Sequence, residues 1–185
     1  MEAEAKPDSL FEQLEPLRRW PIHQWSPAQT DDIGLYIDRS GKWYYRGSEI
    51  ARRRMVKLFA SLLRMEDAEY FLITPKIRYR VRVEECPFLA VDIQTEGQGD
   101  GLCIHFRTNM DDVVRVDREH PLTVELNPEA GTVLPTVLVR NGLRAKLTRA
   151  VYYSLAELAS PGPGKWDDDA SSFHVRSNGE LFRIG

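Results

Sequence analysis

The sequence predicts an α+β protein made of one unit used twice: an antiparallel sheet carrying one long helix. Three observations carry that reading. First, the middle of the chain alternates apolar and polar residues, as in Ile77-Arg-Tyr-Arg-Val-Arg-Val83, which is the period of a strand with one buried face. Second, a hairpin pattern is followed by a helical stripe on two occasions, once after Gly47 and once after Asn141-Gly142. Third, shifting Ile50, Leu58, Phe59, Ser61 and Leu62 by 93 positions lands on Leu143, Val151, Tyr152, Ser154 and Leu155, a match in kind and order. The implied organisation is a lead-in over residues 1–30, a first repeat over 31–85 and a second over 86–185.

Composition supports a folded, soluble chain. Of 185 residues, 42% are apolar and 29% charged, with 25 Lys+Arg against 28 Asp+Glu and a net charge of -3. A disordered chain would be poorer in apolar residues, and a nucleic-acid binder would carry a basic excess, so nucleic acid is not an expected partner. At this length folding buries roughly 70% of the unfolded surface, enough for one large core or two small ones. No apolar run approaches about 18 residues, so no helix is expected to span a membrane. The acidic start Met1-Glu-Ala-Glu-Ala-Lys6 lacks the basic region of a secretory signal. Cys86 and Cys103 do not form a metal or redox spacing and read as free thiols. A cytoplasmic location follows as the expectation.

The elements read in order as follows. Leu10, Phe11, Leu14 and Leu17 give a short amphipathic helix over residues 9–19, limited by Pro16 and Pro21. Trp20-Pro-Ile-His-Gln-Trp-Ser-Pro27 is an extended stretch apolar enough to pack on the body. Residues 33–38 and 42–45 form a hairpin around Gly41, and Ser48 is expected to cap a helix with Ile50, Met55, Leu58, Phe59, Leu62 and Leu63 on one face, ending near Arg64. Strands follow at 70–74, 77–84, 88–94 and 102–107, the last two joined by Gly97-Gln-Gly-Asp-Gly101. Further strands are expected at 113–116, 122–126 and 136–140, with a turn at 129–131. A helix over 143–159 then places Leu143, Leu147, Val151, Leu155 and Leu158 on one stripe. Residues 160–169 read as a loop, and a hairpin around Ser177-Asn-Gly179 closes the chain.

Several blocks together resemble one family. They are Pro21-Ile-His-Gln-Trp25, Gly41-Lys-Trp-Tyr-Tyr-Arg-Gly-Ser48, Met55-Val-Lys-Leu-Phe-Ala-Ser61, Tyr70-Phe-Leu-Ile-Thr-Pro75, Pro87-Phe-Leu-Ala-Val-Asp92 and Phe106-Arg-Thr-Asn109. His120-Pro-Leu122, Val139-Arg-Asn-Gly-Leu143, Val151-Tyr-Tyr-Ser-Leu155 and Gly179 continue them. The chain is similar to the proteobacterial domain-of-unknown-function family 1285 across almost everything beyond the lead-in. The resemblance implies a duplicated α+β fold, a C-terminal half superficially like a pleckstrin-homology domain, a pocket for a nucleotide-like molecule between the halves, and a role in signalling. It implies no established reaction.

The motifs narrow the chemistry mostly by exclusion. His23, His105, His120 and His174 never fall at zincin spacing or beside a Cys-x-x-Cys, so no metal is expected. The glycine-rich Gly97-Gln-Gly-Asp-Gly101 leads into a strand and lacks the Lys-Ser/Thr of a phosphate loop. No serine has the neighbours of a nucleophile elbow, so acyl hydrolysis has no support, no catalytic residue is assigned and no cofactor is expected. Asp111-Asp112 and Asp167-Asp-Asp169 lack the spaced oxygens of a calcium loop and read as solvated loops.

Two patterns remain. Arg78, Arg80 and Arg82 share one strand face, either gripping phosphates or an acidic partner or balanced by Glu84, Glu85 and cross-strand acids. Arg140, Asn141 and Gly142 stand where the reading passes from strand to helix, so backbone N–H groups and the helix dipole would favour a phosphate or carboxylate there; alternatively Gly142 serves only to turn the chain. With that junction go Thr74, Thr108, Asn109 and Tyr152, polar residues within the family blocks. His23 and Trp25 join them; His23 is either a ligand contact or a ring bonded to backbone. The expected function is a cytoplasmic module binding a small, nucleotide-like anion in a cleft between the repeats. The alternatives are a protein interaction scaffold using the arginine face and, third, an enzyme.

Overall fold

The computed structural model describes residues 24–127, 132–161 and 173–184. The expected helix over 9–19, the turn at 129–131 and most of the loop over 160–169 lie outside these residues. The chain divides into two compact units, Met1–Glu85 and Cys86–Gly185.

The first unit contains β1 (Gln29–Ile37), β2 (Trp43–Tyr45), β3 (Ser48–Glu49), α1 (Arg53–Ser61), β4 (Leu63–Glu66), β5 (Glu69–Ile73) and β6 (Ile77–Val83). Its sheet runs β3-β2-β1-β6-β5-β4. Leu35, Ile37, Trp43, Phe59, Leu62, Leu72 and Ile73 are at most 1% exposed and form its core. Met55, Leu58 and Phe59 of α1 supply the helical side of that core, with the Phe59 ring 6.2 Å from Trp43. Two expectations are corrected. Ser48 pairs with Tyr45 as strand, and Arg52 is the N-cap residue. The helix also stops before Arg64, because Leu63 pairs with Leu72 in β4 and the Leu62 carbonyl accepts the Ile73 N–H at 2.9 Å. Those strand partners compete successfully for backbone bonds that one more helical turn would use.

The second unit contains β7 (Phe88–Glu96), β8 (Cys103–Thr108), β9 (Val113–Arg115), β10 (Leu122–Asn127), β11 (Thr132–Arg140), β12 (Leu143–Leu147) and α2 (Arg149–Glu157). The sheet order is β10-β11-β12-β7-β8-β9. Strands β13 (Ser160–Pro161), β14 (Phe173–Ser177) and β15 (Glu180–Arg183) form a small separate sheet. It is tied to the larger sheet through Ser177, which is fully buried: its hydroxyl accepts from Ile104 N at 2.9 Å and donates to the Val116 carbonyl at 2.6 Å.

The long second helix is the main correction. Residues 143–147 are a strand and only Arg149–Glu157 is helix. Leu143, Leu147 and Val151 satisfy a helical stripe, but Leu143, Ala145 and Leu147 are buried while Arg144 and Lys146 are half-buried, which is period two. Asn141 and Gly142 both have positive φ, 44° and 79°, as a two-residue type I′ hairpin requires. The pairing of β12 with β11 on one side and β7 on the other settles the period.

The duplication is visible in the sheets. Read outward from the middle, β1, β2 and β3 correspond to β7, β8 and β9, and β6, β5 and β4 to β12, β11 and β10. In both six-stranded sheets the first and last strands in chain order pair in parallel at the centre, so each of these sheets is mixed where an antiparallel one was expected. The helices are nine residues each and occupy different places, α1 before β4 and α2 after β12. A shift of 93 therefore equates helices that are not equivalent; the equivalent strands start 59 residues apart at Gln29 and Phe88, and 66 apart at Ile77 and Leu143.

Candidate functional site

In the first unit the expected site residues serve the backbone. The Trp25 carbonyl accepts from Arg64 Nη1 at 2.9 Å. Thr74 is buried, and its hydroxyl donates to the Ile77 carbonyl at 2.6 Å and accepts from Ile77 N at 3.1 Å, closing the turn between β5 and β6. His23 lies outside the described residues. The arginine row is largely matched: Arg78 bonds Glu66 at 2.5 Å and Thr30 at 2.7 Å, Arg80 pairs with Glu69, and both guanidinium groups lie over the Phe71 ring. Nearby, Glu84 accepts from the Arg39 guanidinium, the Tyr36 hydroxyl and the Arg39 backbone N–H. Those bonds, led by Arg39, hold its carboxyl down at about 2.

In the second unit the structure gathers Thr108, Asn109 and Arg140. Thr108 is fully buried; its hydroxyl accepts from Met110 N at 3.2 Å and Asp112 N at 3.1 Å, which shapes the turn between β8 and β9. Asn109 Oδ1 accepts from Leu89 N at 3.1 Å. The turn presents Asp112 to Arg140, whose Nη1 donates to Oδ2 at 2.8 Å while its guanidinium lies 4.9 Å from the centre of the Phe88 ring. Asn141 and Gly142 form the hairpin turn beside it, so no helix N-terminus lies there and the dipole argument for an anion at this junction falls. A second polar turn is built on Asp117, whose Oδ1 accepts from the backbone N–H groups of Glu119 and His120 while Oδ2 accepts from Arg115 Nε. Burial opposes its charge, but these bonds outweigh it and hold the carboxyl below its ordinary range.

Tyr152 stands apart from that cluster. Its hydroxyl donates to the Ile184 carbonyl at 2.8 Å, tying α2 to the closing strand. Beside it a groove of about 540 Å³ opens along β10 and β15, lined by Leu122, Thr123, Val124 and Val133 on one side and by Leu181, Phe182, Arg183 and Ile184 on the other. Val133 and Leu181 are 53% and 43% exposed there. Of this wall only Tyr152 was expected. Val133, on β11, has the alternation typical of any strand, so nothing local distinguished it from a core residue.

Residues 20–86 match the N-terminal domain, and residues 87–184 the C-terminal domain, of DUF1285, a family described as being of unknown function. The chain belongs to the DUF1285 family. Its fold agrees closely with the crystal structure of a DUF1285 family protein from Silicibacter pomeroyi DSS-3, at 31% identity and TM-score 0.87, covering 97% of this chain and 94% of that one. A DUF1285 protein from Shewanella baltica OS155 is also 31% identical, with TM-score 0.53 over 67% of this chain and 91% of that one. No curated protein matches the chain. Among the described residues of this DUF1285 chain no group of three His, Cys, Asp or Glu side chains is placed to hold a metal, and no helix is long and apolar enough to cross a membrane.

Proposed function

We propose that this chain is a binding module for a small amphipathic anion, taken into the groove between β10 and β15. The observation that supports the reading is the groove itself. About 540 Å³ lies within the range of small-molecule sites, and its mostly apolar wall carries few polar groups: the Thr123 side chain, the Tyr152 ring and the exposed Arg183 at one end. An aromatic or aliphatic body would bury Val133 and Leu181, and a carboxylate or phosphate on it would share Arg183 with the contact that side chain already makes. A nucleotide-like ligand has that shape. A cytoplasmic signalling role and a pleckstrin-homology-like character for the C-terminal half belong to the same reading. The scaffold alternative is weaker, because Arg78 and Arg80 already have carboxylate partners.

A thermal-shift screen of nucleotides and aromatic carboxylates tests it. A ligand at a hundred times its Kd stabilises the protein by about 2.7 kcal/mol. Leu181→Glu, at an exposed position, should keep the fold and abolish the shift. A library without a single stabilising compound, or a hit that binds Leu181→Glu as well as wild type, would sink the proposal.

A further inference from the structure

Strand β12 turns Leu143, Ala145 and Leu147 into the core and Arg144 and Lys146 to the opposite face of the sheet. Arg144 reaches across β11 to β10. Its Nε donates to Thr136 Oγ1 at 2.8 Å and its Nη2 to Thr123 Oγ1 at 2.5 Å, with longer contacts of 3.4 Å to the carbonyls of Pro121 and Thr136. The two threonine hydroxyls are themselves 3.1 Å apart. Every one of these acceptors is neutral. The other half-buried arginines among the described residues have carboxylates: Arg64 and Arg78 have Glu66, Arg80 has Glu69, and Arg140 has Asp112. Arg144 forms no ion pair among the described residues, and Glu125, the acid two positions beyond Thr123 on β10, is exposed and is not bonded to it.

We infer that Arg144 is the centre of a second, oxyanion-binding site, on the sheet face opposite the core, which goes beyond the groove reading. A half-buried guanidinium held only by neutral acceptors has no counter-charge among the described residues, so a bound anion would add the charge-assisted bonds that the threonines cannot supply. The threonines fix the fork through Nε and Nη2, so little side-chain entropy is left to lose on binding. Nη1, which has no hydrogen-bond partner among the described residues, supplies two donors for the ligand. The ligand class is a phosphate or carboxylate group.

The test uses the full chain at constant ionic strength, with inorganic phosphate and malonate titrated separately against chloride. Phosphate or malonate should raise the melting temperature beyond chloride, and the larger response tells which oxyanion the site takes. Arg144→Gln, whose amide can still bond a threonine, should weaken that response at least about tenfold, the loss expected for a charge-assisted bond. Arg107→Gln, at an arginine on β8 paired with Asp92, should leave it unchanged. On wild-type protein, the same anion should protect Arg144 from phenylglyoxal, read by mass spectrometry, which makes the test independent of whether the variant folds. Equal responses to all three anions, unchanged binding by Arg144→Gln, or modification of Arg144 at the same rate with and without the anion would each overturn the site.

Discussion

Arg140 donates to Asp112 at 2.8 Å while its guanidinium covers the Phe88 ring at 4.9 Å, so one side chain joins the end of β11 to the turn after β8 and to the start of β7. The pair is part-exposed, 30% and 41% by side chain, which limits its worth. A cation over an aromatic ring adds roughly 0.5–1 kcal/mol, and a surface ion pair about as much again at most. Arg140→Ala should therefore lower stability by about 1–2 kcal/mol in urea unfolding, and a double variant with Asp112→Ala should lose less than the two single losses together. Unchanged stability with weakened phosphate binding would instead return Arg140 to the role that the sequence first indicated.

Gly142 holds φ at 79° in the turn between β11 and β12. A side chain is strained in that region by roughly 1–2 kcal/mol. Gly142→Ala should destabilise the protein by about 1 kcal/mol, whereas Asn141→Gly should be tolerated within a few tenths because Asn141 also has positive φ. If Gly142→Ala were neutral, the tight turn assigned here, and with it the strand over Leu143–Leu147, would be in question.

Glu84 ties acid stability to the first unit. Its carboxyl is held at about 2, below the ordinary 4.5, chiefly by the bonds from Arg39 and Tyr36. The folded state thus binds a proton less readily than the unfolded one. The contribution is fully present above about pH 4.5 and is lost as pH falls from there towards 2. Glu84→Gln should flatten the fall in stability across that window and change little at neutral pH beyond the lost ion pair. A wild-type and variant curve of the same slope between those pH values would contradict the assignment.

Much of the strand content was legible because alternation is a local property. The strand Ile77–Val83 and the closing hairpin around Asn178-Gly179 were placed nearly residue for residue. The site was legible only in fragments. Thr108, Asn109 and Arg140 do meet, but as the scaffold of two turns, and the carboxylate that occupies Arg140 sits 28 positions earlier in the chain. Arg144 is indistinct in the sequence, since its distinguishing property is which acceptors surround it and not its neighbours along the chain.

By itself the sequence determined the family, the predominance of strand and the positions of most turns, because periodicity, turn chemistry and ordered blocks of residues are written along the chain, whereas the repeat read from a shift of 93 positions aligned helices that the fold does not make equivalent. Tertiary structure alone decided that residues 143–147 are strand: five residues with Leu143 and Leu147 at their ends fit either period, and only pairing with β7 and β11 selects one. It likewise decided that the first and last strands of each six-stranded sheet pair in parallel at its centre, since β1 meets β6 and β7 meets β12 across intervals of dozens of residues that no local pattern spans. Charge compensation is the third such decision. A guanidinium is the same group at Arg140 and Arg144, and only the fold brings a carboxylate to one and two hydroxyls to the other.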